Sequence, residues 1–464
     1  MTIRVIAPEA ITRTAMAGPS SRGTQQTRIL FFMCQAITDL LLVTLAFALA
    51  DLIRHGRLGA GLDQTSLVVM LPLFVVGAMY VGLYTYEAAI SAACAIERTA
   101  IALGIAFGVA LLFWFAAKSG GDFSRIVFFL GAGLAFVLLA ASRLFAVWLV
   151  RNVLRDRFMR RVLVIDGQPI PVPRGFELLD VGRLGLVPDV HNPIMLHNFA
   201  NLIGGADRVV VSCPIARREQ WAIYLKGVGC WGELLVPELH GVAPVQHEAD
   251  SSLVGVRVSV GPLDLRNRML KRMLDLAITV PAIVLLTPVL VLTAIAIKLD
   301  SRGPILFRQR RIGKSNRLFD VYKFRSMHVE RTDHDGMRSA SRNDDRITRV
   351  GRLIRATSID ELPQLFNVLE GDMSLVGPRP HALGSVAGNQ LFWQVDHRYW
   401  LRHAVKPGIT GLAQVRGLRG ATDHEDDLTN RLRSDLEYLS NWTIFRDVHI
   451  LMRTAVVLIH RNAY

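Results

Sequence analysis

Five long apolar stretches constrain this chain more than any other feature of it. Four of them, at 28–50, 66–86, 97–117 and 126–150, each approach the ~20 residues that carry a helix across a hydrocarbon core. Burial inside a soluble protein is the alternative, but 51% hydrophobic content over 464 residues is high for soluble domains of that total length. Arg151, Arg155, Arg157, Arg160 and Arg161 follow the fourth stretch at once, whereas the loop at 118–125 holds only Lys118 and Arg125. The positive-inside bias therefore puts residue 151 in the cytoplasm, and an even number of spans returns the N-terminus there too. Residues 1–27 carry Arg4, Arg13 and Arg22 without the short apolar core of a secretory signal, and read as a disordered cytoplasmic tail.

A formal net charge of +14 calls for a partner rich in phosphate, whether nucleic acid, anionic lipid, nucleotide or lipid phosphate. The basic residues lie against apolar segments and no nucleic-acid reading motif accompanies them, so no nucleic acid is expected. Cys34, Cys94, Cys213 and Cys230 are too widely spaced to suggest a disulfide framework or a zinc site.

From 161 the pattern changes to β-rich runs, Arg161-Val-Leu-Val-Ile-Asp-Gly167, Arg208-Val-Val-Val-Ser212 and Glu233-Leu-Leu-Val-Pro237, with helix-forming sequence between them. This alternation predicts a small doubly wound α/β domain over 151–265. The turn after its first strand, Asp166-Gly-Gln-Pro-Ile-Pro171, loses amide donors to proline where a phosphate loop would supply them. The domain is therefore expected to be a degenerate Rossmann-like one, structural or regulatory.

The fifth apolar stretch, Leu276 to Ile297, is long enough to span, yet crossing would export the strongly basic sequence that follows it. Pro281 and Pro288 each remove a helical hydrogen bond and bend the axis. A re-entrant hairpin is expected at 266–300, provided Thr287 or its neighbours satisfy the freed carbonyls; a kinked span is the alternative.

Arg302, Arg308, Arg310, Arg311, Lys314, Arg317, Lys323 and Arg325 then crowd one short segment. Anionic headgroups explain much of this. The alternation Phe319-Asp-Val-Tyr-Lys-Phe-Arg325 also reads as a strand with Lys323 and Arg325 on one side, able to aim two cations at one phosphate. Further on, Ser358 with Glu361 fits a capping box, and Leu362, Leu365, Phe366 and Leu369 supply an apolar face, so a helix should begin at Ser358 with Pro363 in its first turn. Asp360 and Glu361 could simply complement that helix start. Arg355 before them and Gly377-Pro-Arg-Pro380 after them suggest instead a phosphoryl-transfer site, in which one carboxylate attacks phosphorus and another helps ligate a divalent ion. Lys406-Pro-Gly-Ile-Thr-Gly-Leu-Ala-Gln-Val-Arg-Gly417 is equally good as a surface hairpin. Trp442 to His460 reads as an amphipathic helix that lies in the membrane interface or packs on the preceding domain.

Lys271-Arg272 with Asp275 before the Pro-broken helix, Val321-Tyr-Lys-Phe-Arg-Ser-Met327, the long phrase Ser358 to Pro380 and Lys406-Pro-Gly-Ile-Thr-Gly411 together resemble the polyprenyl-phosphate hexose-1-phosphate transferases of the monotopic phosphoglycosyl transferase superfamily. The resemblance covers about 266–464, and four helices followed by a degenerate Rossmann-like domain resemble the larger members. It implies a membrane α/β protein with a four-helix transmembrane bundle at 28–150, a re-entrant helix broken mainly at Pro288, and an α+β catalytic domain at 301–464 on the cytoplasmic face of the bacterial inner membrane. It implies that Asp360 attacks the sugar-bearing phosphate of a UDP-sugar, releasing UMP, and that undecaprenyl phosphate then attacks the aspartyl phosphosugar. Asp360 and Glu361 would hold Mg²⁺, Arg355 would contact lipid phosphate, and Lys323, Arg325, Arg379, Arg311 and Lys406 are the other substrate-binding candidates. Glucose 1-phosphate is the expected donor group, with galactose 1-phosphate as the alternative; this would be the first membrane step of exopolysaccharide, capsule or O-antigen assembly. A homodimer through the N-terminal portion is also expected. A polytopic sugar-phosphate transferase would need about twice as many spans, and a non-catalytic assembly scaffold would not need the acids.

Overall fold

The computed structural model describes residues 21–56, 64–117, 124–154, 158–173, 175–239, 254–261, 263, 265–329, 345–418, 422 and 424–459. The chain forms two compact units, divided between Arg160 and Arg161. The tail expected at 1–27 lies outside the described residues except at its end, where the first helix has already begun.

The N-terminal unit contains α1 (Ser21–His55), α2 (Gln64–Tyr80), α3 (Ala92–Ala117) and α4 (Arg125–Asn152). A helix satisfies its own backbone groups, the condition for an apolar run to sit in lipid. α1 lies along α4 and α2 along α3, around Val43, Phe47, Phe74, Ala102, Phe128 and Leu139. Close approach depends on Gly131, where a Cβ would fall 2.9 Å from the Phe47 ring. Leu112, Phe115, Phe129 and Trp148 point outward, as lipid contact requires. Inside the unit, Arg143 of α4 pairs with Asp39 of α1, and Tyr84 Oη donates to Asp39 at 2.8 Å.

The second expected stretch, 66–86, is corrected. Its helix ends at Tyr80 and the chain then turns through Gly82 at φ +72°. Seventeen residues rise about 26 Å, at the lower limit for a span. Among the described residues, the helices long and apolar enough to cross a membrane are Thr27–His55, Ala92–Phe115, Ile126–Asn152 and Arg266–Asp300.

The second unit opens with a five-stranded sheet of β1 (Arg161–Ile165), β2 (Phe176–Asp180), β3 (Arg208–Ser212), β4 (Trp231–Leu235) and β5 (Gly255–Ser259). Its order is β2-β1-β3-β4-β5; the first four strands run parallel and β5 is antiparallel to β4. Helices α5 (Pro193–Leu202) and α6 (Arg218–Val228) connect β2 to β3 and β3 to β4. After β1, Asp166 is filled by the protein itself: Arg217 Nη1 bonds it at 2.6 Å and Trp221 Nε1 at 2.9 Å. The apolar core under this sheet continues through Phe199 and Tyr224 into Phe392, Tyr399, Trp400 and Leu428, far along the chain. Trp400 Nε1 donates to Val190 O at 2.8 Å and Arg317 Nη2 to Ala200 O at 2.7 Å, so sheet and C-terminal half are one packed body.

α7 (Leu265–Asp300) runs as one helix through both Pro281 and Pro288. The Thr287 hydroxyl bonds Ile283 O at 2.8 Å, one residue short of the carbonyl that Pro288 frees. Its two ends are fastened to the same unit. Near its start, Lys271 Nζ donates to Asp447 Oδ2 at 2.6 Å and to Val376 O at 2.8 Å, while Asp275 accepts from Ser374 Oγ and Leu375 N. At its finish, Arg325 donates to Ser301 O at 2.7 Å, and Asp300 accepts from Val350 N at 3.0 Å.

Beyond α7, β6 (Leu306–Ile312) and β7 (Leu318–Phe324) form an antiparallel ribbon. Next come α8 (Arg349–Ala356), α9 (Gln364–Glu370) and β8 (Ser374–Val376), the last paired parallel with β9 (Gly408–Thr410). The 406–417 phrase is therefore no surface hairpin. Two of its glycines are needed for contact, since a Cβ on Gly408 would lie 2.1 Å from Gly377 N and one on Gly411 2.2 Å from Gly377 O. Finally α10 (Glu425–Ser440) and α11 (Ile444–Ile459) close the unit. α11 buries Asp447 and Ile450 against it and leaves Phe445 and Met452 exposed.

Candidate active site

The helix expected to start at Ser358 does not start there. Ser358 takes left-handed backbone (φ +56°), a 3₁₀ turn covers Ile359–Glu361, and regular helix begins only at Gln364, after Pro363. A capping box would need the Glu361 side chain to fold back onto Ser358. Glu361 is instead drawn to two cations. Lys323 Nζ of β7 lies 2.8 Å from its Oε1, and Arg379 donates through Nη2 to Oε1 at 2.6 Å and through Nη1 to Oε2 at 3.4 Å.

Burial alone would raise the Glu361 pKa. The Arg379 and Lys323 charges and hydrogen bonds outweigh it and hold the carboxyl well below its ordinary range. Asp360 has the opposite environment. Burial, helped by the Glu361 charge, raises its pKa against the pull of Lys323, Arg355 and Arg379. Among the described residues no donor hydrogen-bonds the Asp360 carboxylate. One acid is thus clamped and the other is open, partly desolvated and surrounded by positive charge, which suits a carboxylate nucleophile.

Arg311 backs this group. Nη1 donates to Pro380 O at 2.6 Å, Nη2 to Gln309 Oε1 at 2.6 Å, and burial beside Arg379 lowers its pKa to about 10. Lys323, Arg379, Arg311 and Arg355 are therefore brought together around the two acids. Two other candidates are not. Arg325 falls one residue past the end of β7, and its guanidinium turns to the Ile297, Ser301 and Arg302 carbonyls, where it anchors the end of α7. Lys406 lies against the Gly371 turn beside Arg272.

No motif marks the residues that hold the Gly377–Pro380 loop from behind. Arg402 Nη2 donates to the carbonyl of Arg379 at 2.8 Å; Nη1 bonds His381 Nδ1 at 2.7 Å and Nε bonds Asp435 Oδ2 at 2.9 Å. Arg402 and Asp435 are almost wholly buried. His381 also meets Tyr399 Oη at 3.1 Å, and burial among arginines holds its pKa well below the usual histidine range. No periodicity joins positions 381, 402 and 435, so only the fold could reveal them.

Residues 266–461 match the bacterial sugar transferase family model, and residues 81–175 match one described as a CoA-binding domain. An exopolysaccharide production protein of Rhizobium leguminosarum bv. phaseoli is 48% identical over 188 residues, which are 40% of this chain and 94% of that protein. The chain belongs to the bacterial sugar transferase family. The resemblance read from the motifs of 266–464 is borne out. The chain is also 48% identical to an undecaprenyl-phosphate glucose phosphotransferase of Komagataeibacter xylinus over 267 residues, 56% of the chain and 50% of that relative. A third relative, the UDP-glucose:undecaprenyl-phosphate glucose-1-phosphate transferase of Caulobacter vibrioides, is 46% identical over 227 residues, 48% of the chain and 82% of the relative. The chain thus spans about half the length of the Komagataeibacter xylinus relative and most of the other two.

Proposed function

We propose that this chain transfers a hexose 1-phosphate, glucose 1-phosphate by the names of its relatives, from a UDP-sugar to undecaprenyl phosphate. The observation that carries the reading is the divided pair: Glu361 clamped by Lys323 and Arg379, Asp360 left open beside it. An Asp360 oxygen forms a bond to the sugar-bearing phosphorus as the bridging bond to UMP breaks, and UMP departs with the electron pair. An oxygen of the lipid phosphate then attacks the same phosphorus, and the Asp360–phosphorus bond breaks to restore the carboxylate. Lys323, Arg379 and Arg311 offset charge on the diphosphate, with Arg379 also fixed through its own backbone by Arg402. Arg355, whose charge acts on Asp360, would meet the lipid phosphate.

Two adjacent carboxylates suit Mg²⁺, which is usually held by one or two carboxylates plus substrate phosphates. Glu361 Oε1 is taken by two cations and Oε2 only by the longer 3.4 Å bond from Arg379 Nη1, so Asp360 and Glu361 Oε2 are the oxygens that would hold the ion. Bound there, it would supply Lewis-acid polarisation of the diphosphate.

In this reading the chemistry would take place on the cytoplasmic face of the bacterial inner membrane, as the first membrane step of surface polysaccharide assembly. α7 would be re-entrant, with Pro288 as its main break, a reading supported by the attachment of both its ends to one compact unit. The sheet of β1–β5 would be a degenerate Rossmann-like module with a structural role, supported by the Arg217 and Trp221 side chains that fill the end of β1. Association as a homodimer completes the reading.

The test is UMP release from a panel of UDP-sugars by the purified full chain with undecaprenyl phosphate. Asp360→Asn should abolish release and covalent labelling by the donor while the protein stays folded. A non-catalytic scaffold predicts no release by either form, and a noncovalent mechanism predicts release without labelling.

A further inference from the structure

A groove of about 780 Å³ lies between the C-terminal half of α7 and the ribbon of β6 and β7. Leu290, Val291 and Ala294 line it from α7, Pro363 and Phe366 from the segment that follows the acid pair, and Arg308 is the one charged residue among those lining it. Only 11% of the most apolar stretch of α7 is buried in the protein, which leaves most of this helix for hydrocarbon to cover.

The groove shares two chain segments with the acid pair. Phe324 lines the groove, and its neighbour Lys323 holds Glu361. Successive strand residues face opposite sides, so the end of β7 presents its cation toward the acids and its phenyl ring toward the groove. Pro363, likewise, stands two residues after Glu361.

A nucleotide does not suit such walls, which offer one charged side chain for a molecule that is polar throughout. An ordinary phospholipid could lie anywhere along α7 and gains nothing from a position beside the acids. The second substrate of the proposed reaction has both requirements: its phosphate must reach Asp360 while its hydrocarbon stays out of water. We propose that the groove holds the first isoprene units of the polyprenyl phosphate, with Arg308 beside the phosphate end. This inference rests on the proposed function and adds the tail-binding site to it.

The experiment uses the full chain with Ala294→Trp, which fills the groove from a half-buried position, and Phe366→Ala, which widens it. Two rates are read separately: covalent labelling of the enzyme by UDP-sugar without lipid, and steady-state UMP release against undecaprenyl phosphate concentration. Ala294→Trp should raise KM for undecaprenyl phosphate about tenfold or more, since overpacking must be relieved before the tail can enter. Labelling should stay within about twofold of the unsubstituted protein. Phe366→Ala should raise the same KM by a smaller factor and serves if the tryptophan variant fails to fold. An unchanged lipid KM in the folded variants, or a response to bulk phospholipid chain length with no change in that KM, would overturn the tail site. Equal loss of labelling and turnover would overturn it too, by placing the groove in the nucleotide site. Failure of the unsubstituted protein to label would instead remove the enzyme reading itself.

Discussion

Arg402→Met is the sharpest test of how the arginine loop is held. The wild-type guanidinium bonds Asp435 at 2.9 Å and 2.7 Å, His381 at 2.7 Å and the Arg379 carbonyl at 2.8 Å, with almost no solvent access. Methionine fills similar volume but leaves Asp435 a buried acid stripped of its arginine hydrogen bonds, with only the charge of Arg431 still nearby among the described residues. Removing one partner of a buried pair costs about 3–5 kcal/mol, a large share of the roughly 5–15 kcal/mol that a domain has. Burial already raises the Asp435 pKa against the pull of Arg402, so losing the arginine must raise it further. A folded-state pKa above the unfolded value stabilises the protonated form, and this stability is lost as pH rises through the folded pKa. The variant should therefore be least stable at neutral pH and recover part of its deficit on acidification, more steeply than wild type.

The assay is thermal unfolding of the purified chain in detergent over a pH series, where about 3–5 kcal/mol corresponds to a Tm loss of roughly 10 °C or more. Adding Asp435→Leu should restore most of the stability, because an apolar pair replaces the ionic one. It should not restore turnover, since the Arg379 carbonyl still lacks its donor. A Tm loss below ~2 °C in the single variant, or full recovery of turnover in the double, would refute the role assigned to Arg402.

Activity should fall on acidification through a pH above the ordinary aspartate value of 3.8, because ionised Asp360 is required and its pKa is raised. Arg355→Met removes an influence that lowers that pKa, so the acid limb of single-turnover UMP release should move to higher pH; a shift downward would contradict the assignment. Lys271→Met strands Asp447 in the core with only Tyr438 and Trp442 as donors and should cost about 3–5 kcal/mol in thermal unfolding, whereas an exposed ion pair would cost under about 1. Gly408→Ala should prevent folding, since its Cβ would meet the Gly377 backbone at 2.1 Å; Gly417→Ala, with no atom within 4 Å but φ at +87°, should cost only about 1–2 kcal/mol by expression and melting.

The acid pair and its immediate cations were legible because they lie in short phrases whose chemistry is local. Asp360 and Glu361 stand together, Arg355 sits on the preceding turn, and Arg379 is marked by the two prolines around it. Arg325 was misplaced because the alternation of a strand holds only while the strand lasts, and β7 ends at Phe324. Ser358 misled for a different reason. A capping box is an energetic preference of about 1 kcal/mol, and Glu361 gains more from Lys323 and Arg379 than from a serine amide. The prolines of α7 predicted a break, yet α7 stays helical through both, since a proline can bend a long helix without ending it. Arg402, His381 and Asp435 could not be found at all, because nothing short of the tertiary fold puts those positions together.

The contrast between neighbouring acids follows from where their partners come from. Lys323 reaches Glu361 from β7 and Arg379 reaches it from the loop after β8, so one carboxylate staples two separate segments to the 3₁₀ turn. A side chain held in that way is poorly free to attack phosphorus. Asp360, one residue earlier on a turn of about three residues, is rotated roughly 120° from it and escapes those partners. Lys323, Arg311, Arg355 and Arg379 around two acids leave an excess of positive charge before substrate arrives. An anionic nucleophile approaching an anionic diphosphate is opposed by Coulomb repulsion, and fixed cations in a half-buried site reduce it without reorganisation. In the proposed reaction Glu361 would therefore be as necessary as the nucleophile, although it need not touch the reacting phosphorus. Without it, Lys323 and Arg379 would repel each other and the charge that awaits the diphosphate would scatter.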